Sequence, residues 1–597
     1  MDSTSWETWW QLNRDLFIDA RAQLDPQSRT TLSDELARLA ARSARPDAAQ
    51  VVSIAAPALM RVLHEESNPE ILRSCLIALA RIDGPTEGAL AQWDQDLDEV
   101  LASFLAHQQL QVSEAAALAL GIRGREAGAR ILESVVIDNE LGRERVARHS
   151  VPERTRAFAA FGLGLCARRA ESEDLRRWIV HALVAANGAV RGSSRDLQGA
   201  VVAALGLARL DPYSAYFDRV VSFKRDLLNA GERMPATAAA VALVADMFTL
   251  LADEKRPTEA RAQIPTAIAN VIQGAEETLR AECVREFVRI LKSGVKQREI
   301  TAGVMLALGT IVLPLDTPHD RTARALLADT ARVGERSARG FALISAGRIG
   351  RAAWRSEERA GALEMEELLL EALTRGKSGA PGWAAIGLGI LGDAHGLLDV
   401  QRGNAALRAV FASDRNQSDS GAAALALGMR RDLQVKEALR ERVLATGADE
   451  VRGRYALALG LMLDCDAGTT LRELVAGTAN RPTLLREIVT SLALLGDASL
   501  TEELVRALAE APTQADKAAF AEALALVGDA RSLSPLAELA TAEKVSLGVR
   551  THAVRALGSV ADLDPLPWNA PFAFNAQYLA AADVLLSRSG GSVLDPR

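Results

Sequence analysis

Along most of the chain, apolar residues recur every three or four positions, and these periodic stretches come in pairs separated by short polar breaks. Such spacing predicts amphipathic helices joined into hairpins. One helix of each pair closes on the same phrase, an apolar–Ala–Leu–Gly run or a near variant. AAALALG ends at Gly121, AFGLG at Gly164, VAALG at Gly206 and MLALG at Gly309. Further copies end at Gly347, Gly389, Gly428, Gly460, Gly496, Gly528 and Gly558. Apart from one wider interval before Gly309, successive glycines stand 30–43 residues apart. A period of that length with two helices per copy is the signature of an α-solenoid, in which no hairpin buries its apolar face without its neighbours.

A single copy shows how the pattern works. In DEVRGRYALALG, Asp449 is placed to cap a helix that runs to Gly460, and a second amphipathic helix over Thr470–Val475 follows before Asn480-Arg481-Pro482 breaks the chain. Six copies carry an additional upstream glycine. Gly199, Gly340, Gly382, Gly421 and Gly453 lie seven residues before the closing one, and Gly303 lies six before. Seven residues is close to two turns, so both glycines fall near one face. Glycine inside a helix costs about 0.5–1 kcal/mol against alanine. The spacing therefore predicts either close approach of neighbouring helices or a thinned groove floor for a partner.

The period is interrupted at 135–153, 210–235 and 313–321, where inserted helices or longer connections are expected, and 236–251 reads as a degenerate repeat without its glycine. The expected organisation is a Trp-rich helical cap over 1–50, a repeat array of about 12–14 copies over 51–562, and an aromatic cap and tail over 563–597. Trp6, Trp9 and Trp10 would cover the first repeat. Trp568, Phe572, Phe574 and Tyr578 would cover the last.

Composition narrows the function classes. The 597 residues are 49% hydrophobic, but only 4% are aromatic, so the core is built of small side chains. A net charge of −8 is the wrong sign for a dedicated nucleic-acid binder. Charge is unevenly placed: residues 51–100 hold nine acids against three arginines, whereas Arg143–Arg195 holds eleven arginines against five acids. Arg143, Arg145, Arg148, Arg154, Arg156, Arg168, Arg169, Arg176 and Arg177 form a candidate patch for an anionic partner, unless they pair with Glu144, Glu153, Glu171, Glu173 and Asp174. The four cysteines are far apart, without a CxxC, and read as buried free thiols. The uncharged stretch Ile300–Leu315 is 16 residues and contains glycine and proline, so no membrane span is expected. The N-terminus lacks a basic region followed by an apolar one, which implies a cytoplasmic protein, or an exported one if Met1 stands where a signal peptide has been removed.

VRGRYALALGL (451–461), GVRTHAVRALG (548–558) and VGDARSLSPLAELA (527–540) resemble HEAT repeats, in particular the short bacterial kind found in phycobilisome-lyase-like proteins. SWETWWQLNRD (5–15) and PWNAPFAFNAQYLAAADVLL (567–586) are similar to the terminal segments of large HEAT-repeat proteins of planctomycete-like bacteria. The resemblance implies an all-α fold, a right-handed superhelix of HEAT-like hairpins, with the glycine-closed helices lining its concave side. Arg339, Gly340, Phe341, Gly382, Trp383, Arg452, Gly453 and Tyr455 are then the candidate groove residues.

Chemistry is sparse by comparison. Gly387–Gly392 matches GxGxxG but ends a helix instead of opening one, so it is no dinucleotide site. His64-Glu65 is a single dipeptide of the kind that HEAT-fold di-iron enzymes repeat, and the other histidines lack a Glu neighbour. No catalytic, metal or cofactor-binding residue is assigned, and no cofactor is expected. The sequence therefore points to a non-catalytic scaffold binding a protein or peptide on the concave face. The alternatives are polyanion or nucleic-acid binding at 143–195 and a lyase-like enzyme.

Overall fold

The structure, a computed structural model, describes residues 2–18, 20, 45–82, 89–208, 238–355, 359–376, 379–413, 416–475, 477–497, 499–564, 568–573, 576–580, 585–586 and 593–594. Among these residues there is no strand, and after an N-terminal helix α1 (Trp6–Asn13) the chain forms an α-solenoid of helical hairpins. The second helix of each hairpin belongs to an inner layer. Its first seven members are α2 (Pro69–Ala80), α3 (Leu110–Arg123), α4 (Glu153–Arg169), α5 (Arg195–Leu207), α6 (Thr258–Val271), α7 (Arg298–Ile311) and α8 (Arg336–Arg351). The remaining six are α9 (Ala380–Leu391), α10 (Gln417–Met429), α11 (Asp449–Met462), α12 (Pro482–Leu494), α13 (Gln514–Val527) and α14 (Leu547–Ala561).

The two layers differ as their sequences dictate. Inner helices are buried round most of their circumference: in α10 every residue from Ser420 to Gly428 is buried. Outer helices bury one stripe, as Leu500, Thr501, Leu504 and Leu508 do in Leu500–Glu510. The repeat glycines set the inner spacing. A Cβ on Gly460 would stand 2.7 Å from the Ser491 Cα of the next inner helix, so no side chain fits between them. Gly199 faces Ala260 and Gly206 faces Ala267, early position to early and late to late, so neighbouring inner helices run parallel.

Close inner spacing with bulkier outer side chains makes each hairpin a wedge, and the wedges sum to a full circle. Helix α14 packs on α2, and the outer helix Leu533–Thr541 packs on the outer helix Ala56–Glu65. The solenoid is thus a single closed turn of thirteen hairpins among the described residues. Polar contacts cross the closure: Arg550 Nη1 donates to Glu66 Oε2 at 2.9 Å, and Arg555 Nε donates to Ser74 Oγ at 3.0 Å.

Closure removes the end repeats that the aromatic segments were expected to cap. Helix α1 instead lies inside the ring against α9, and the C-terminal segment packs beside it. Phe572 meets Phe161 of α4, and Tyr578 meets Phe341 of α8. Phe574 and the 210–235 interruption lie outside the described residues. In 135–153 the inserted element is a short helix, Glu140–Arg145, and the 313–321 loop ends at Thr317, which caps Pro318–Val333. The helix Ala238–Ala252 is an outer one. Its partner α6 is an inner helix without a closing glycine and places Ala267 opposite Gly206, as α2 places Ala78 opposite Gly558. Asp449 lies inside α11 and Ala448 occupies the cap position. Cys465 is exposed, unlike the other three cysteines, because it sits in the turn after α11.

Candidate functional site on the inner wall of the ring

The inner wall is in large part already occupied. Trp6 lies over Gly382 of α9, where a Cβ would stand 2.5 Å from the indole Nε1, and that nitrogen donates to Ser418 Oγ of α10 at 3.0 Å. Ser418 in turn donates to Glu7, and the Arg454 guanidinium of α11 sits 4.7 Å from the Trp6 ring centroid. Arg14, just beyond α1, pairs with Glu487 of α12, both side chains being about nine-tenths buried. Burial works against the Arg14 cation, but the charge and hydrogen bond of Glu487 outweigh it and hold its pKa above the ordinary value. On the other side of the lumen, Gln263 Nε2 of α6 donates to the Gln577 carbonyl at 2.8 Å, and Gln577 Nε2 donates to the Glu299 carbonyl of α7 at 2.9 Å.

Among the described residues, the wall is open from α12 round to α2. There a cavity of about 610 Å³ is lined by four inner helices. Its floor is apolar, with Ile77, Ala78, Ala525, Leu526 and Ala556. Arg81, Arg486 and Arg555 also line it, against a single carboxylate, Glu522. His552 Nδ1 stands 2.7 Å from Glu522 Oε1. Burial alone would raise the Glu522 pKa, but His552, Arg555 and Arg486 together hold it below the ordinary value. Arg81 beyond α2 is deprived of solvation by the surrounding wall, which lowers its pKa, and Asp562 offsets this in part. The Nε atoms of Arg81 and Arg486 are shielded from water and have no hydrogen-bond partner.

The candidate groove residues separate into two groups. Gly340, Phe341, Gly382 and Trp383 come together around the terminal segments: Gly340 lies beneath the Trp383 indole, which also meets Phe341 and Trp9. Gly453 lies beneath Glu487. Arg452 turns outward to donate to the Val443 carbonyl at 2.6 Å, and the Tyr455 hydroxyl pairs with Ser420 Oγ at 2.9 Å within the core. Arg339 is half-buried on α8.

The arginine patch is largely answered within the chain. Arg143 pairs with Asp138, Arg145 with Glu99, Arg154 with Glu114 and Arg169 with Asp564, while Arg176 and Arg177 share Glu173. Arg148 and Arg156 donate to the carbonyls of Gln108 and Val136. Arg168 is half-buried near the end of α4. Glu99, Gln108 and Glu114 come from the preceding hairpin and Asp564 from the far end of the chain, which sequence distance conceals.

Among the described residues, Glu277, His319 and Asp320 place ligand-type atoms together. Arg280 already occupies that cluster, donating to Asp320 Oδ1 at 2.7 Å and to Glu277 Oε1 at 2.6 Å. A guanidinium neutralises the carboxylates that a metal would need. No helix among the described residues is long and apolar enough to cross a membrane.

Sequence reading overlooked Arg454, Ser418 and Glu487, which hold α1, and Arg81, Arg486, Glu522, His552 and Arg555 at the cavity. One signal was available: His552, Arg555 and Ser559 form an i, i+3, i+7 polar stripe on a helix that otherwise carries only Arg550 and Thr551 as polar side chains.

No known family model and no curated protein matches the chain. Among solved structures, an engineered protein is similar at 16% identity over 78% of this chain and 98% of its own, with a TM-score of 0.26. Importin beta matches at 13% identity over 81% of this chain and 77% of its own, with a TM-score of 0.31. The karyopherin Kap121p bound to Pho4p matches at 13% identity over 87% of this chain and 57% of its own, with a TM-score of 0.32.

Proposed function

We propose that the chain is a non-catalytic scaffold that binds a protein or peptide segment on the inner wall of its ring, in the sector from α12 to α2. The observation carrying this reading is that the wall at α4 and from α6 to α12 already holds two aromatic segments of the same chain. It holds α1 by seating Trp6 on a glycine and by matching Glu7 and Arg14 to wall side chains. A wall that binds segments in this way has the chemistry to bind another where it lies open.

Photo-cross-linking in native lysate tests this. A benzophenone side chain is placed at Ala525 in the open sector, and another at Leu444 on the outer surface. The reading expects a protein cross-link at Ala525 that is absent at Leu444. Cross-links confined to Leu444, or none at either position, would contradict it.

A further inference from the structure

The cavity carries a charge pattern from which the chemistry of its occupant can be read. Arg486 lies on α12 and Arg81 just past α2, three steps apart round the ring, with α13 and α14 between them. Inner helices pack about 8–10 Å apart, so three steps is the reach of roughly seven or eight extended residues. Between the two arginines the wall offers Ile77, Ala78, Ala525, Leu526 and Ala556 as an apolar floor. Arg555 stands near the middle, where Ser74 accepts from its Nε. Glu522, the one carboxylate of the lining, faces His552, Arg555 and Arg486, while Glu487 stands 3.5 Å from Arg486 Nη2 and Asp562 lies near Arg81, so the negative charge present is shared among more cations than it neutralises. Three guanidinium groups spread over that length, two of them with a shielded Nε lacking any partner, favour several separate negative charges over one compact anion.

We infer that the cavity recognises an extended peptide segment that presents acidic and apolar side chains in turn along one face, at every second residue, its carboxylates meeting Arg81, Arg486 and Arg555 and its apolar side chains meeting the floor. This rests on the scaffold reading above and adds the partner's chemistry. The same wall provides a precedent: the carboxylate of Glu7 on α1 accepts from Ser418 and lies within 3.8 Å of Arg454, beside the buried Trp6 ring.

The test uses the full chain and the fluorescein-labelled nonapeptide Glu-Ser-Leu-Ser-Glu-Ser-Leu-Ser-Glu, which sets Glu and Leu on one extended face, followed by fluorescence anisotropy. Peptides with Gln or Lys in place of Glu serve as comparisons. The Glu peptide is expected to bind at least tenfold more tightly than either. Arg81→Gln with Arg486→Gln is expected to weaken it at least tenfold, while Arg289→Gln on an outer helix leaves it unchanged. Circular dichroism establishes that both variants remain folded. Equal binding of the Gln peptide, or unchanged binding in the double variant, would overturn the inference. So would displacement of the Glu peptide by equimolar inorganic phosphate or succinate, which would make the cavity a small-anion site. If Ala525 still cross-links a protein while the Glu peptide shows no preference, the scaffold reading stands and only this inference falls.

Discussion

Gly558 in the last inner helix lies against Ala78 in the first, so closely that a Cβ on Gly558 would stand 2.6 Å from the Ala78 Cα. This is the same glycine-mediated approach that joins consecutive hairpins, here used between the two ends of the array. Closure therefore needs no dedicated element. It also explains why the aromatic termini turn inward, since a ring offers a lumen to fill and no terminal repeat to cover.

Substituting Gly558 tests that contact. Gly558→Val forces bulk between α14 and α2 and is expected to cost about 1–3 kcal/mol, the usual range for overpacking. Gly447→Val, at a glycine with nothing near its Cβ position, is expected to stay within about 0.5 kcal/mol of the parent. Denaturation midpoints compare the two.

The buried pair Arg14–Glu487 predicts non-additive energetics. Glu487→Leu strands a buried guanidinium and is expected to cost about 3–5 kcal/mol. Arg14→Met combined with Glu487→Leu is expected to recover most of that loss. A double-mutant cycle on unfolding free energy measures the coupling. Purely additive effects would mean that the pair does not hold the N-terminal segment.

Trp6 anchors α1 through its buried ring, its bond to Ser418 and the Arg454 cation. Trp6→Ala is expected to cost about 3–5 kcal/mol locally. Protease cleavage within the first seventeen residues should then become rapid while the ring helices stay protected.

Much of this architecture could be read from the sequence, and the reasons for the rest are physical. Gly460 and its counterparts mark the inner helices because a missing Cβ leaves a periodic trace. Closure leaves no such trace: it is the sum of thirteen small differences between inner and outer spacing, and the phrase that suits a closed turn suits an open spiral equally. The tryptophans announce a surface that needs cover, yet Trp6 meets Gly382 and Ser418, which only the ring brings near. The cavity is legible in part, through the stripe His552–Arg555–Ser559, but its opposite wall at Arg81 belongs to the other end of the chain.

Tyr578 gives a pH signature. Its hydroxyl is buried without a hydrogen-bond partner, and burial, aided by Asp2, pushes its pKa well above the ordinary value of about 10. The folded chain keeps this proton where the unfolded chain loses it. The contribution of Tyr578 is therefore fully present below about pH 10 and is lost as pH rises beyond it. Tyr578→Phe is expected to be neutral or stabilising by about 1 kcal/mol near neutrality. The variant should also lose less stability between pH 9 and pH 11, as followed by thermal melts.

The most direct test of the closed ring is the distance across its seam. Spin labels at Arg61→Cys and Glu538→Cys, with Cys465→Ser to remove the exposed native thiol, sit on the two outer helices that meet there. Double electron–electron resonance in solution is expected to give one narrow, short distance, that of helices packed about 10 Å apart plus the reach of the labels. A broad distribution at many tens of ångströms would mean an array whose ends do not meet, and would contradict the account.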